Sequence, residues 1–179
     1  MNDDFMRALE FVLAHECVYE KGHYGSIRHV ISENVDGDAG GLTKWGLDQR
    51  SHKGVDIESL TLEQAHDIYE KEYWQKHHCN EMDWPLSAVH FDNCVNMGPG
   101  QAVKLLQRTC GAHDDGAWGP NTKAAVVAAC KVRGAKEVAL QVIQKKAQFY
   151  KDLVDAKPHL AKFKNGWLNR TNDLKTAIV

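Results

Sequence analysis

No stretch of this chain approaches the ~18 consecutive apolar residues of a membrane-spanning helix, so membrane insertion is not expected. Net charge is almost absent. Twenty-two Lys and Arg against 24 Asp and Glu leave −2, and no global field draws the chain to nucleic acid or anionic lipid. The opening Met-Asn-Asp-Asp-Phe lacks a basic region followed by an apolar run, so no secretory signal is expected and synthesis is assigned to the cytoplasm. The five cysteines (Cys17, Cys79, Cys94, Cys110, Cys130) are odd in number, scattered and without a C-x-x-C pair. That excludes a disulfide framework and a zinc ribbon and leaves free thiols acting as small hydrophobes. Ten histidines occur without an H-E-x-x-H, and the adjacent His77, His78 and Cys79 cannot all face one ion from a helix. No metal and no cofactor are expected. Internal repeats and low-complexity linkers are also missing.

What is present suits one domain or two small lobes sharing a core: 179 residues, 43% hydrophobic and 26% charged. The pattern is mostly helical. Phe5, Leu9, Val12 and Leu13 define a helix from about Asp3 to Glu16. Between residues 23 and 47 that period breaks. Ile27, His29 and Ile31 alternate with other residues, six glycines lie in or beside the stretch, and a small hairpin with irregular loops is expected. Thr61-Leu62-Glu63-Gln64 is a capping box that opens a helix running toward Tyr73 and Trp74. Pro85 starts the next helix, which Gly98-Pro99-Gly100 stops. Short helices follow over 101–109 and 121–131, then a long one over 135–154 and a last one over 163–174. The Gly98–Gly100 turn marks the lobe boundary, giving regions 1–97 and 98–179.

Glu16 carries the chemistry in this reading. It closes the first helix ahead of a turn-rich segment, Asn34-Val35-Asp36-Gly37-Asp38-Ala39-Gly40-Gly41-Leu42-Thr43-Lys44-Trp45-Gly46. Acid-assisted cleavage of a sugar needs one protonated carboxyl for the leaving oxygen and a second polar group to hold water or stabilise positive charge. A carboxylate at a helix end beside a loop of carboxylates and a threonine supplies both. The same aspartates and threonine also suit turn formation by side-chain-to-backbone hydrogen bonds.

The residues form an ordered series of fragments: His15-Glu16-Cys17-Val18-Tyr19; Asp38-Ala39-Gly40-Gly41-Leu42-Thr43-Lys44-Trp45-Gly46-Leu47; Leu60-Thr61-Leu62-Glu63-Gln64-Ala65 with Tyr73-Trp74; Asp92, Asn96, Gly98 and Ala102; Leu106-Gln107 with Asp115-Gly116, Trp118-Gly119-Pro120 and Thr122; and Phe163, Gly166-Trp167 and Arg170. This series resembles the N-acetylmuramidases of glycoside hydrolase family 108, and the second half resembles the helical peptidoglycan-binding unit that follows in them. The resemblance implies a mainly α, lysozyme-like fold of two helical lobes with a small β-hairpin next to the active-site cleft. It implies hydrolysis of the β-1,4 bond between N-acetylmuramic acid and N-acetylglucosamine, and a monomer acting on peptidoglycan glycan strands once another factor releases or exports it. Catalytic roles fall on Glu16 as acid and on Asp38 and Thr43 at the water. Tyr19, Gly41, Trp45, Asp92 and Asn96 are expected at the substrate. Cys17 and Val18 depart from the family's two glycines, which brings in Glu20 and Glu33 as further acids and a non-catalytic wall binder or secretion-assisting protein on the same fold as the alternative function.

Two further features read either way. Asp92 and Asn96 share a helix face and suit either an N-acetyl group or a satisfied buried polar pair. The basic run from Lys131 to Lys175 suits either an anionic wall polymer or a solvated lysine-rich face. Trp74, Trp118 and Trp167 are expected in the core.

Overall fold

The computed structural model describes residues 3–17 and 41–179. Among them are seven α-helices and one two-stranded antiparallel sheet, the mainly α architecture expected. The elements are α1 (Asp3–Glu16), β1 (Thr43–Lys44), β2 (Leu47–Asp48), α2 (Leu62–Ile68), α3 (Leu86–Met97), α4 (Pro99–Cys110), α5 (Pro120–Arg133), α6 (Ala135–Ala156) and α7 (Lys164–Ile178). The chain divides into two compact units, residues 9–72 and residues 1–8 with 73–179. The alternating Ile27, His29 and Ile31 lie outside the described residues, as do Glu20 and Glu33.

Helix boundaries follow local chemistry. The Thr61 hydroxyl accepts from the Gln64 backbone N–H at 3.2 Å while the Gln64 side chain accepts from the Thr61 N–H at 2.9 Å, so the capping box starts α2. A wide π-helical segment, Tyr69–Gln75, continues it. Gly98 has φ 84° and separates α3 from α4, with Pro99 at the first turn of α4.

In the larger unit, Phe5, Trp74 and Phe91 form an edge-on aromatic cluster with ring centroids 5.4–6.0 Å apart. Trp118 is half-buried and stacks on His78 at 5.2 Å, and Trp167 stacks on Tyr150 at 4.8 Å. Helix α6 buries Val138, Val142, Tyr150 and, in the same stripe, Lys146. The Lys146 ammonium lies 2.5 Å from one Asp92 oxygen, and the Arg170 guanidinium approaches the other at 2.8–2.9 Å. Burial alone pushes the Asp92 carboxyl up. The two cations outweigh it and hold the group below the usual carboxylate range. This corrects two expectations. Asp92 is 1% exposed and committed to ion pairs, so it is not a sugar ligand, and Lys146 and Arg170 are not part of a solvated basic face.

The Gln107 amide has a comparable structural role. It donates to Asp115 at 2.7 Å and to Thr122 at 2.9 Å, and accepts from the Gly116 N–H at 2.9 Å. The Asp115-Gly116 to Thr122 fragment is therefore the lock on one turn.

The smaller unit is built around the hairpin. Thr43 pairs with Asp48 and Lys44 with Leu47, leaving Trp45 and Gly46 as a two-residue turn. Both have left-handed backbones, φ 56° and 74°, the signature of the turn that matches strand twist. For tryptophan that conformation costs about 1–2 kcal/mol. Three contacts hold it there. The ring is buried, its indole N–H donates to the Leu60 carbonyl at 2.9 Å, and its own carbonyl accepts from the Tyr69 hydroxyl at 3.0 Å. Gly46 fits because it has no side chain: a Cβ there would sit 2.6 Å from the Glu16 Cβ and 2.7 Å from the Tyr69 oxygen.

Two stability outcomes follow from these packings. Gly46→Ala should cost at least about 1–2 kcal/mol from backbone handedness alone, with further loss as the end of α1 is displaced; an unchanged melting temperature would contradict the contact. Asp92→Ala removes the anion both cations share and should cost about 3–5 kcal/mol, a fall in Tm on the order of 10 °C. Because the folded Asp92 pKa is depressed, its contribution is complete above the ordinary carboxylate range and is lost as pH falls through the depressed value. An Asp92→Ala protein with wild-type melting at neutral pH would show that the pairs contribute nothing.

Candidate active site

The first helix ends in a way that prepares Glu16. Asp3 and Asp4 occupy its first turn and His15 its last, each favourable for the helix dipole. The His15 ring packs on Phe11 at 4.3 Å and its Nδ1 lies 2.9 Å from the Phe11 carbonyl. The Cys17 N–H still donates to Leu13 at 3.0 Å, so the backbone remains helical through Glu16. The Glu16 side chain is half-buried, with its Cβ under the Trp45-Gly46 turn. Burial, reinforced by the neighbouring Glu16 carboxylate, pushes the Cys17 thiol up to about 12. Cys17 is thus neutral and inert, and adds apolar bulk beside Glu16.

The hairpin brings a second set of polar groups. Thr43 is half-buried, and no described residue hydrogen-bonds its hydroxyl. Its cross-strand partner is Asp48, so the two side chains share a sheet face. The Asp48 carboxylate accepts from the Ser51 N–H at 2.9 Å. Partial burial pushes its carboxyl up, but the Ser51 hydrogen bonds outweigh that and hold it below the usual range, ionised at neutral pH. Asp48 was not legible as a site residue, because its place opposite Thr43 depends on a register set by the Trp45-Gly46 turn.

The other expected residues fall in different places. Asp38 and Tyr19 lie outside the described residues. Gly41 has φ 74°, and a Cβ there would meet only the Gln49 side chain at an ordinary 3.9 Å, so handedness rather than crowding favours glycine. Trp45 is 8% exposed and turned toward Leu60. It anchors the turn and presents no face for stacking on a sugar, which corrects the substrate role expected for it. Asn96 is half-buried and its amide oxygen accepts from the Tyr150 hydroxyl at 2.5 Å. Among the described residues, no three His, Cys, Asp or Glu side chains are grouped to hold a metal ion. A buried thiol–imidazole pair does occur, with the Cys94 Sγ 3.6 Å from the His90 Nε2.

The structure of Brucella abortus SagA superposes with a TM-score of 0.71 at 23% identity, covering 96% of this chain and 91% of that one, and so shares the fold. No curated protein sequence matches the chain. The family described as Predicted Peptidoglycan domain matches residues 101–172. Glycosyl hydrolase 108 matches residues 9–98, which are 90 of the 179 residues and include Glu16 and the whole hairpin. The chain belongs to glycosyl hydrolase family 108 and is a glycoside hydrolase that acts on peptidoglycan.

Proposed function

We propose that this protein hydrolyses the β-1,4 bond between N-acetylmuramic acid and N-acetylglucosamine, with Glu16 as the general acid. The observation that carries the reading is the contact of Gly46 with the Glu16 Cβ, which seats the tip of the Thr43-bearing hairpin on the carboxyl end of α1. Thr43 lies on the strand that enters this turn, on the same hairpin that meets the end of the Glu16 helix.

In the proposed step the Glu16 carboxyl gives its proton to the glycosidic oxygen as the bond from the muramic acid C1 breaks. Positive charge develops on the ring. Thr43, helped by Asp38, orients the water that attacks C1; one water hydrogen stays on the new C1 hydroxyl, and the other leaves as a proton to the Asp38 carboxylate and returns through solvent to Glu16. Asp48 keeps an ionised carboxylate on the same strand face as Thr43 and favours the charged ring electrostatically. Glycan recognition and chemistry are assigned to region 1–97, and attachment to the wall to region 98–179.

Glu16→Gln keeps the shape and removes the proton. General acid catalysis contributes ~10²–10⁴ in rate, so lysis of purified peptidoglycan should fall by at least ~100-fold with melting unchanged. Near wild-type clearing by this variant, with loss in Glu20→Gln or Glu33→Gln, would move the acid elsewhere. Thr43→Ala should lower turnover while leaving sedimentation with peptidoglycan intact, because only the transition state uses the positioned water. Equal losses in both measurements would make Thr43 a loop-building residue.

A further inference from the structure

Helices α6 and α7 pack side by side within one unit and leave an open groove of about 490 Å³ between them, inside the stretch that matches the peptidoglycan domain over most of its length. Its floor is apolar and shallow: Leu140, Ile143 and Ala147 from α6, Leu168 from α7. None of the lining residues is aromatic, so no platform exists on which a sugar ring could stack. The polar groups suit another ligand. Glu137 on α6 and Lys175 on α7 line it from opposite helices and form no ion pair with each other; one Glu137 oxygen accepts from the Gln141 amide at 2.8 Å, which leaves the other for an ammonium. Farther along, the Gln144 and Asn172 amides have no hydrogen-bond partner among the described residues.

The chemistry that fits is a short peptide of small residues with free carboxylates and an amino group. Methyl groups sit on the Ala147 floor, backbone amides meet Gln144 and Asn172, a carboxylate meets Lys175 and an ammonium meets Glu137. We propose that this groove binds the stem peptide of peptidoglycan, separately from the glycan-cutting site. The proposal rests on peptidoglycan being the substrate. It adds that the second half of the chain reads the peptide and the first half the sugar. A shallow, open site with few charged contacts favours weak, reversible binding, which suits an enzyme that must move along its polymer.

The test uses the full chain and two probes in calorimetric titrations: a sugar-free tetrapeptide of alanine, glutamate, a diamino acid and alanine, and a peptide-free N-acetylglucosamine oligomer. The wild type should bind the tetrapeptide. Lys175→Glu, which reverses an exposed charge, and Ala147→Trp, which fills the floor, should each weaken it at least ~10-fold with unchanged melting and unchanged cleavage of a peptide-free glycan. The proposal is overturned if the wild type does not bind the tetrapeptide, if both variants bind it as the wild type does, or if the sugar oligomer competes for the groove. Tetrapeptide binding lost in both variants, in a protein that cuts no glycan, would sustain the groove and remove the hydrolase reading; active cleavage without tetrapeptide binding would do the reverse.

Discussion

The contact between Gly46 and the Glu16 Cβ is the constraint on which the rest of the site depends. Two elements meet there with no room for a methyl group. The meeting fixes how far the hairpin lies from the end of α1, and the two-residue turn fixes which strand residues share a face. Trp45 makes this possible at a cost in backbone strain, offset by its burial and its hydrogen bonds to Leu60 and from Tyr69. Trp45, expected at the substrate, is instead the clamp on the turn. Tyr69, far from Thr43 in sequence, thus helps hold the turn that follows the Thr43 strand.

The polar residues of the family pattern thereby divide by task. Glu16 and Thr43 remain accessible around the turn. Asp92 and Arg170 are buried in an ion pair that joins distant helices, and Gln107 is buried in hydrogen bonds to the turn that precedes α5. Such networks contribute to a unique arrangement of helices even where their net stabilisation is small, because a slipped helix would strand a charge away from water.

How much of this is legible in the sequence follows from the range of each interaction. Local signals are: the capping box at Thr61 and Gln64, the Gly98 stop and the apolar stripe of α1 each lie within a few residues, and the helices appear where these place them. The Asp92 triad spans 54 and 78 residues, so nothing near Lys146 distinguishes a buried lysine from its solvated neighbours on α6. The turn is hidden for another reason. Tryptophan favours strands and disfavours a left-handed backbone, so local preference argues against the conformation that tertiary contacts impose. The register, and with it Asp48, becomes visible only once that turn is known. The α6–α7 groove leaves no mark in sequence at all, since its walls are ordinary polar positions on two helices.

In the proposed reaction a carboxyl at the end of α1 cleaves the glycan itself, not the peptide that cross-links it. End-group analysis of purified peptidoglycan after digestion tests this most directly. Digestion should give new reducing ends on N-acetylmuramic acid, no new amino ends, and the same yield with and without a chelator. New amino ends that disappear with the chelator, or sedimentation of the protein with the wall and no new ends of either kind, would contradict it.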